Sequence, residues 1–177
     1  MTKPAAFSHP ARMEMAAALT QSTLDAAARL GGPFAAALMA GCPASDRPAS
    51  QSRVFEGTSD QVRAVRQFIR TALPAHPALD DAVLVASELA ANAVGHTASG
   101  NPGGFFLVHV TVVSPQAIAV LVTDQGSGQD PRPQDVSADD EAGRGLAIVT
   151  ALASMVIPFG GTAGRTILAV AGRCHHV

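Results

Sequence analysis

Lysine is almost missing from this chain: Lys3 is the only one, and eleven arginines carry the rest of the positive charge. Any nucleotide site here must work without a buried lysine. That excludes a Walker A loop and the usual protein-kinase fold, both of which set a lysine against the phosphates. Cysteine is scarce too. Cys42 and Cys174 stand far apart in unrelated contexts, so neither a disulfide framework nor a zinc site has support, and the reducing cytoplasm fits. The tripeptide Cys174-His175-His176 lacks a second ligand cluster and does not make a metal site. No basic run occurs and the net charge is −2, which argues against a dedicated nucleic-acid or anionic-membrane binder. Long apolar runs are also missing. The stretch Pro33 to Cys42 ends like a lipoprotein signal, but it follows an amphipathic segment instead of a short basic one and is too short to span a bilayer. Proteins and small molecules remain as partners.

At 177 residues with 47% hydrophobic content, the chain can bury a substantial core. Residues 1–52 read as an alanine-rich extension with a linker. Met13, Ala16, Ala17, Thr20, Leu24, Ala27, Ala28 and Leu30 recur at near-helical spacing, and Pro43 to Ser52 has linker composition. The main domain is expected over 53–177. Arg53 to Gly57 reads as a strand. Thr58-Ser-Asp-Gln61 is a capping-box pattern before a helix carrying Val62, Val65, Phe68, Ile69 and Leu73, which stops before Pro74. Asp80 or Asp81 is expected to cap a second helix running to about His96.

Phe105 to Val113 and Ala117 to Thr123 are β-branched-rich runs separated by Ser114-Pro115-Gln116, the pattern of a hairpin. Gln129 to Ala142 is polar and proline-rich and reads as a mobile loop. Gly143 to Ala153 reads as a glycine-bearing turn opening an apolar helix, with Leu146, Val149, Leu152 and Ala153 inward. Met155 to Phe159 and Arg165 to Ala171 form a closing hairpin. The order β-α-α-β-β-loop-α-β-β predicts an α+β two-layer sandwich, with a mostly antiparallel sheet and helices on one face.

Three stations carry polar chemistry. In Ser87-Glu-Leu-Ala-Ala-Asn-Ala-Val-Gly-His96, the residues Glu88, Asn92 and His96 fall at i, i+4 and i+8. They form a polar stripe beside the apolar one of Val85, Leu89 and Ala93. Such a stripe can face water or a ligand. Asp124-x-Gly126-x-Gly128 ends a strand, where the aspartate could simply form a turn. Gly143-Arg144-Gly145 opens a helix whose first N–H groups could bind an anion. A dinucleotide fingerprint lacks its third glycine, and Pro131 and Pro133 forbid the helix it needs. No Gly-x-Ser-x-Gly elbow exists for a hydrolase triad. His96 reads as a helix-end residue or a metal ligand.

In this order and spacing, the stations resemble the N box and the two glycine boxes of the GHKL ATPase superfamily. The strings Ser-Glu-Leu-x-x-Asn-Ala-Val-x-His and Gly-Arg-Gly-Leu are most similar to its anti-sigma-factor serine kinases of actinobacterial type. The similarity spans Arg53 to Val170. It implies the Bergerat ATP-binding fold with Mg²⁺ at Asn92, Glu88 as general base and Asp124 accepting from the adenine amino group. Gly126 and Gly128 would approach base and sugar closely, and Gly143, Arg144, Gly145 and Leu146 the phosphates, while Thr166 would support the adenine pocket. It further implies transfer of the γ-phosphoryl of ATP to a serine of a STAS-domain anti-anti-sigma partner, and sequestration of a sigma factor. A non-catalytic adaptor that binds nucleotide and holds a regulatory protein is the alternative. A detached histidine-kinase domain would need a preceding acceptor helix pair with dimerising heptads, which the residues before 53 do not contain. The N-terminal segment could serve as a docking helix or bring two copies together.

Overall fold

A computed structural model describes residues 50–127, 141–161 and 164–173; of 141–144 and 161 it describes the backbone alone. Five strands and three helices follow in the order β1 (Ser50–Glu56), α1 (Gln61–Ala72), α2 (Leu79–His96), β2 (Phe105–Ser114), β3 (Ala117–Asp124), α3 (Glu141–Leu152), β4 (Ala153–Gly161) and β5 (Gly164–Gly172). The sheet order is β1-β2-β3-β5-β4, and every neighbouring pair is antiparallel. This is the expected α+β sandwich.

α2 is the central helix. It packs on the sheet through β2, β3 and β5, with α1 on one flank and α3 on the other. Its apolar stripe is the expected one: Val85 is 0%, Leu89 1% and Ala93 2% exposed. Burying a side chain the size of Val85 or Leu89 stabilises the fold by about 1.5–3 kcal/mol before entropy is counted. The helix-facing strand residues alternate with this stripe, including Phe106, Val108 and Val110 from β2, Ile118, Val120 and Val122 from β3, and Ala169 and Ala171 from β5. Phe55 stacks on Phe106 at 5.5 Å and meets Phe68 edge-on at 5.8 Å, which fixes α1 over the β1 edge. The other face carries a second apolar cluster, Ala117, Ala119, Leu121, Leu168 and Val170, whose described members all lie on strands.

Several boundaries move from their expected places. β1 begins at Ser50, three residues inside the presumed linker. Pairing decides this, since Ser50 lies opposite Thr111 and Ser52 opposite His109. Neither expected cap forms. α1 starts after Asp60 and α2 after Ala78, each without a side-chain cap bond; Asp80 and Asp81 sit inside the first turn, where their charge favours the helix dipole. Glu141 and Ala142, expected in the loop, are helical, so the backbone of Gly143 to Gly145 lies within α3 and not in a turn before it. Ala153, expected at the end of that helix, already opens β4. Most of the expected 129–142 loop, and residues 1–49 of the extension, lie outside the described residues. Among the described residues no helix is long and apolar enough to cross a membrane.

β2 buries a histidine on the second face. His109 is 6% exposed, with Nδ1 2.7 Å from Ser52 Oγ and Nε2 3.3 Å from Ser50 Oγ. Burial lowers its pKa from 6.5 to about 4. The unfolded chain therefore binds a proton that the folded chain refuses between these values. Its contribution to stability is intact above pH 6.5 and is lost as pH falls toward 4, by up to about 3 kcal/mol. His109→Gln is expected to flatten that part of the stability profile, read by urea unfolding at pH 4.5 and 7.5. An unchanged slope would place the acid sensitivity elsewhere.

Candidate functional site

One turn of α2 and one turn of α3 meet at Gly145. A Cβ built on this glycine would lie 2.8 Å from Glu88 Oε2 and 3.7 Å from Asn92 Oδ1, so both polar side chains reach the bare backbone of α3. Glu88 and Asn92 are half-buried and share a helix face, as their i, i+4 spacing requires. The turn before them is anchored from α1. Arg66 Nε donates to Ser87 Oγ at 2.9 Å, and that hydroxyl donates to Val83 O at 2.7 Å. Ser87 is 1% exposed, so the clamp lies inside the helix pair and sets the rotation at which α2 presents Glu88.

The donors meeting here are one carboxylate oxygen, one carboxamide oxygen and helical backbone. Such hard oxygens suit a cation that keeps waters and phosphate oxygens as its remaining ligands. They do not make an all-protein cage, and no cluster of three His, Cys, Asp or Glu occurs among the described residues.

Gly145→Ala tests this contact directly. The added methyl group falls inside contact distance of the far end of the Glu88 side chain, which can swing aside cheaply, while α3 gains about 1 kcal/mol of helix propensity. The thermal midpoint is expected to stay or rise. Any reaction that depends on Glu88 is expected to slow by about 10- to 100-fold, as displaced catalytic groups do. Unchanged turnover would show that the approach of Gly145 to Glu88 is incidental.

The second half of the site is the end of β3. Asp124 is 4% exposed. Its Oδ1 accepts the N–H of Gly126 at 2.7 Å, a turn that needs Gly126 at φ 72°, where a side chain would be strained. The turn is tied to the loop after α2. Ala98 N donates to Gly126 O at 2.6 Å, Gln125 N donates to Ser99 Oγ at 2.9 Å, and Gln125 Oε1 accepts from Phe105 N at 3.0 Å. Gly57 and Gly104 close around the Ser99 carbonyl, where a Cβ on either would overlap the oxygen. The end of α2 and the end of β3 are thereby held in one frame.

Across the sheet, Asp124 pairs in register with Arg165 of β5, and Asp124 Oδ2 lies 3.5 Å from Arg165 Nε. Burial raises the Asp124 pKa; the Gly126 N–H and the Arg165 charge oppose that rise. The pair faces the helices, because Val122 and Ile167, two residues along each strand, belong to the helix-side core.

The geometry sorts the expected site residues. Glu88, Asn92 and Gly145 converge, and Asp124 and Gly126 form one turn. Thr166 does not join Asp124. Its Oγ1 lies 2.8 Å from Thr123 Oγ1, and this buried row points to the opposite face of the sheet. A one-residue step along a strand reverses the face, so Arg165, and not Thr166, shares the face of Asp124. Leu146 was expected inward, yet it is 47% exposed. Gly145 and Val149, four residues apart, take the inward face, and Leu146 lies about 100° around the helix from Gly145. Gly143 and Arg144 are seen as helical backbone only, and Gly128 lies outside the described residues. His96 is exposed in the last turn of α2. Arg165 carries no motif signal, and Ser87, although it opens the Ser-Glu-Leu string, shows nothing there of its bond to Arg66. Their roles arise from strand register and helix packing.

Comparison with known proteins agrees with this frame. The profile of the histidine kinase-like ATPase domain matches residues 55–170. A crystal structure of the RsbU and RsbW domains of Rv1364c from Mycobacterium tuberculosis superposes with a TM-score of 0.54 at 22% identity, over 71% of this chain and 32% of that one. The chain thus spans about a third of the length of that structure, and at this identity the likeness is one of fold. No match was found among curated proteins. The family profile covers well over half the chain, and the elements it spans form the frame just described: the chain belongs to the histidine kinase-like ATPase domain family.

Proposed function

We propose that this chain is a cytoplasmic Mg-ATP-dependent serine kinase of the anti-sigma type. It would act on a serine of a STAS-domain anti-anti-sigma protein and, once phosphorylation has released that partner, hold a sigma factor. The observation that carries this reading is the convergence of Glu88 Oε2 and Asn92 Oδ1 on the backbone at Gly145. A base and a neutral cation ligand then stand one helical turn apart, beside the bare backbone of α3.

In this reading Asp124 accepts a hydrogen bond from the adenine amino group, and Gly126, with Gly128, lets the base and sugar come close. Asn92 would hold Mg²⁺, which supplies charge neutralisation at the phosphates; Gly143, Arg144, Gly145 and Leu146 would border them. The absence of a usable lysine leaves this neutralisation to the cation, arginine and backbone N–H groups. The partner's serine hydroxyl attacks the γ-phosphorus. Its Oγ–P bond forms as the bond to the β-phosphate bridging oxygen breaks, ADP leaves, and the hydroxyl proton passes to the Glu88 carboxylate. Catalysis is by positioning and electrostatics, as is general for phosphoryl transfer. The likeness in fold to a structure that contains an RsbW domain supports the choice of branch.

The deciding experiment is incubation of the full chain with γ-labelled ATP, Mg²⁺ and candidate STAS-domain proteins, scored for phosphoserine. Label on a serine is the expected result. Tight ATP binding with no transfer to any candidate would favour a nucleotide-binding adaptor instead.

A further inference from the structure

Arg165 is the described cation nearest the proposed base pocket, and the family motifs do not account for it. Its side chain is 30% exposed, but Nε is buried without a hydrogen-bond partner and faces Asp124 Oδ2 at 3.5 Å. The contact is therefore one of charge more than of hydrogen bonding. Its place is built in. Register sets Arg165 opposite Asp124 on one side and Gly160 on the other, and a Cβ on Gly160 would come 3.2 Å from Arg165 Cα. Gly160 itself sits at φ 91°, which lets β4 close against this residue.

We propose that Arg165 is a positioning residue that keeps Asp124 an ionised, acceptor-only group, and so makes the pocket select a 6-amino over a 6-oxo purine. The inference rests on the reading of Asp124 as the base acceptor. An ionised carboxylate can only accept, which suits the amino group of adenine. A protonated one also donates, and that suits the carbonyl oxygen of inosine or guanine. Asp124 is buried enough to favour the proton; the N–H of Gly126 and, at Arg165, chiefly the charge with smaller side-chain and backbone contributions hold it off, and no other ionised side chain among the described residues acts on it. Gly126 contributes through its backbone, as does position 165 in part, and a change of the Arg165 side chain removes only the charge and side-chain contributions. The loop at Ala98–Gly100, tied to the same turn, contributes no titratable side chain.

The test compares Mg-ATP and Mg-ITP affinities of the full chain by calorimetry between pH 5.5 and 8, for the wild type, Arg165→Leu and Arg165→Lys. Taking the ratio at each pH cancels protonation of the phosphates. The wild type should prefer ATP by a constant factor. In Arg165→Leu that preference should fall by about tenfold or more toward pH 5.5, and Arg165→Lys should restore a flat ratio. A ratio in Arg165→Leu that is as flat as in the wild type overturns the inference, whether or not its overall affinity drops, because a merely structural role would weaken both nucleotides alike. A wild type that binds neither nucleotide overturns the base-pocket reading itself, and the inference with it.

Discussion

Glu88→Gln is expected to reduce phosphoryl transfer by about 10²–10⁴-fold, the usual contribution of a positioned general base, while Mg-ATP affinity changes little. The substitution keeps the size of the side chain and its reach toward Gly145, so the packing of α2 on α3 survives. It removes only the capacity to take a proton. Single-turnover transfer to the partner serine and equilibrium ATP binding, measured on one preparation, separate the two effects. Normal transfer by this variant would sink the role assigned to Glu88. Equal loss of binding and transfer would instead make Glu88 part of the nucleotide cradle.

Asp124→Asn should do the reverse. It leaves a carbonyl oxygen for the Gly126 N–H but turns an amide N–H₂ toward the purine amino group, donor against donor. A site that hydrogen-bonds one substrate group loses strongly when that pairing fails, and ATP affinity is expected to fall by about 100-fold or more. The fold should not weaken in parallel. Burial raises the Asp124 pKa, so the folded chain holds this proton more readily than the unfolded one. The native state is favoured by this group at low pH, and that contribution is lost as pH rises through the folded pKa. At pH 8 the ionised side chain costs stability, and Asp124→Asn is expected to melt at or above the wild-type temperature. Its advantage should shrink as pH falls. Thermal scans of the nucleotide-free proteins at pH 5 and 8 check this; a variant that melts lower at both would show that Asp124 is primarily a structural residue. Loss of binding together with gain of stability is the signature of a buried polar group retained for function.

The site halves were unequally legible. Glu88 and Asn92 could be read from spacing, because a helix of 3.6 residues per turn brings i and i+4 together whatever surrounds it. Asp124 and Gly126 were legible as a turn, since an Asp two residues before a glycine makes its own hydrogen bond to the backbone. The faces that Thr166 and Leu146 present were not legible, for the same kind of reason. Each belongs to an element found correctly from its pattern, but which face it presents depends on a shift of one residue. Pairing across β3 and β5 settled the first, and the approach of Gly145 to α2 settled the second.

What the sequence by itself determined is local: the two hydrophobic periods that give an antiparallel sheet with helices on one face, the Glu88–Asn92 stripe, the Asp124–Gly126 turn, and the lack of lysine that rules out a Walker A loop and the usual protein-kinase fold. What only the tertiary structure decided is long-range: that α3 brings Gly145 against Glu88, that Ser87 is clamped by Arg66, and that β5 enters between β3 and β4 to set Arg165 beside Asp124. Periodicity and turn chemistry act over a few residues and are written in neighbouring letters. Register between strands some forty residues apart is chosen by the whole core at once, and a single step of it decides which side chain meets the buried carboxylate.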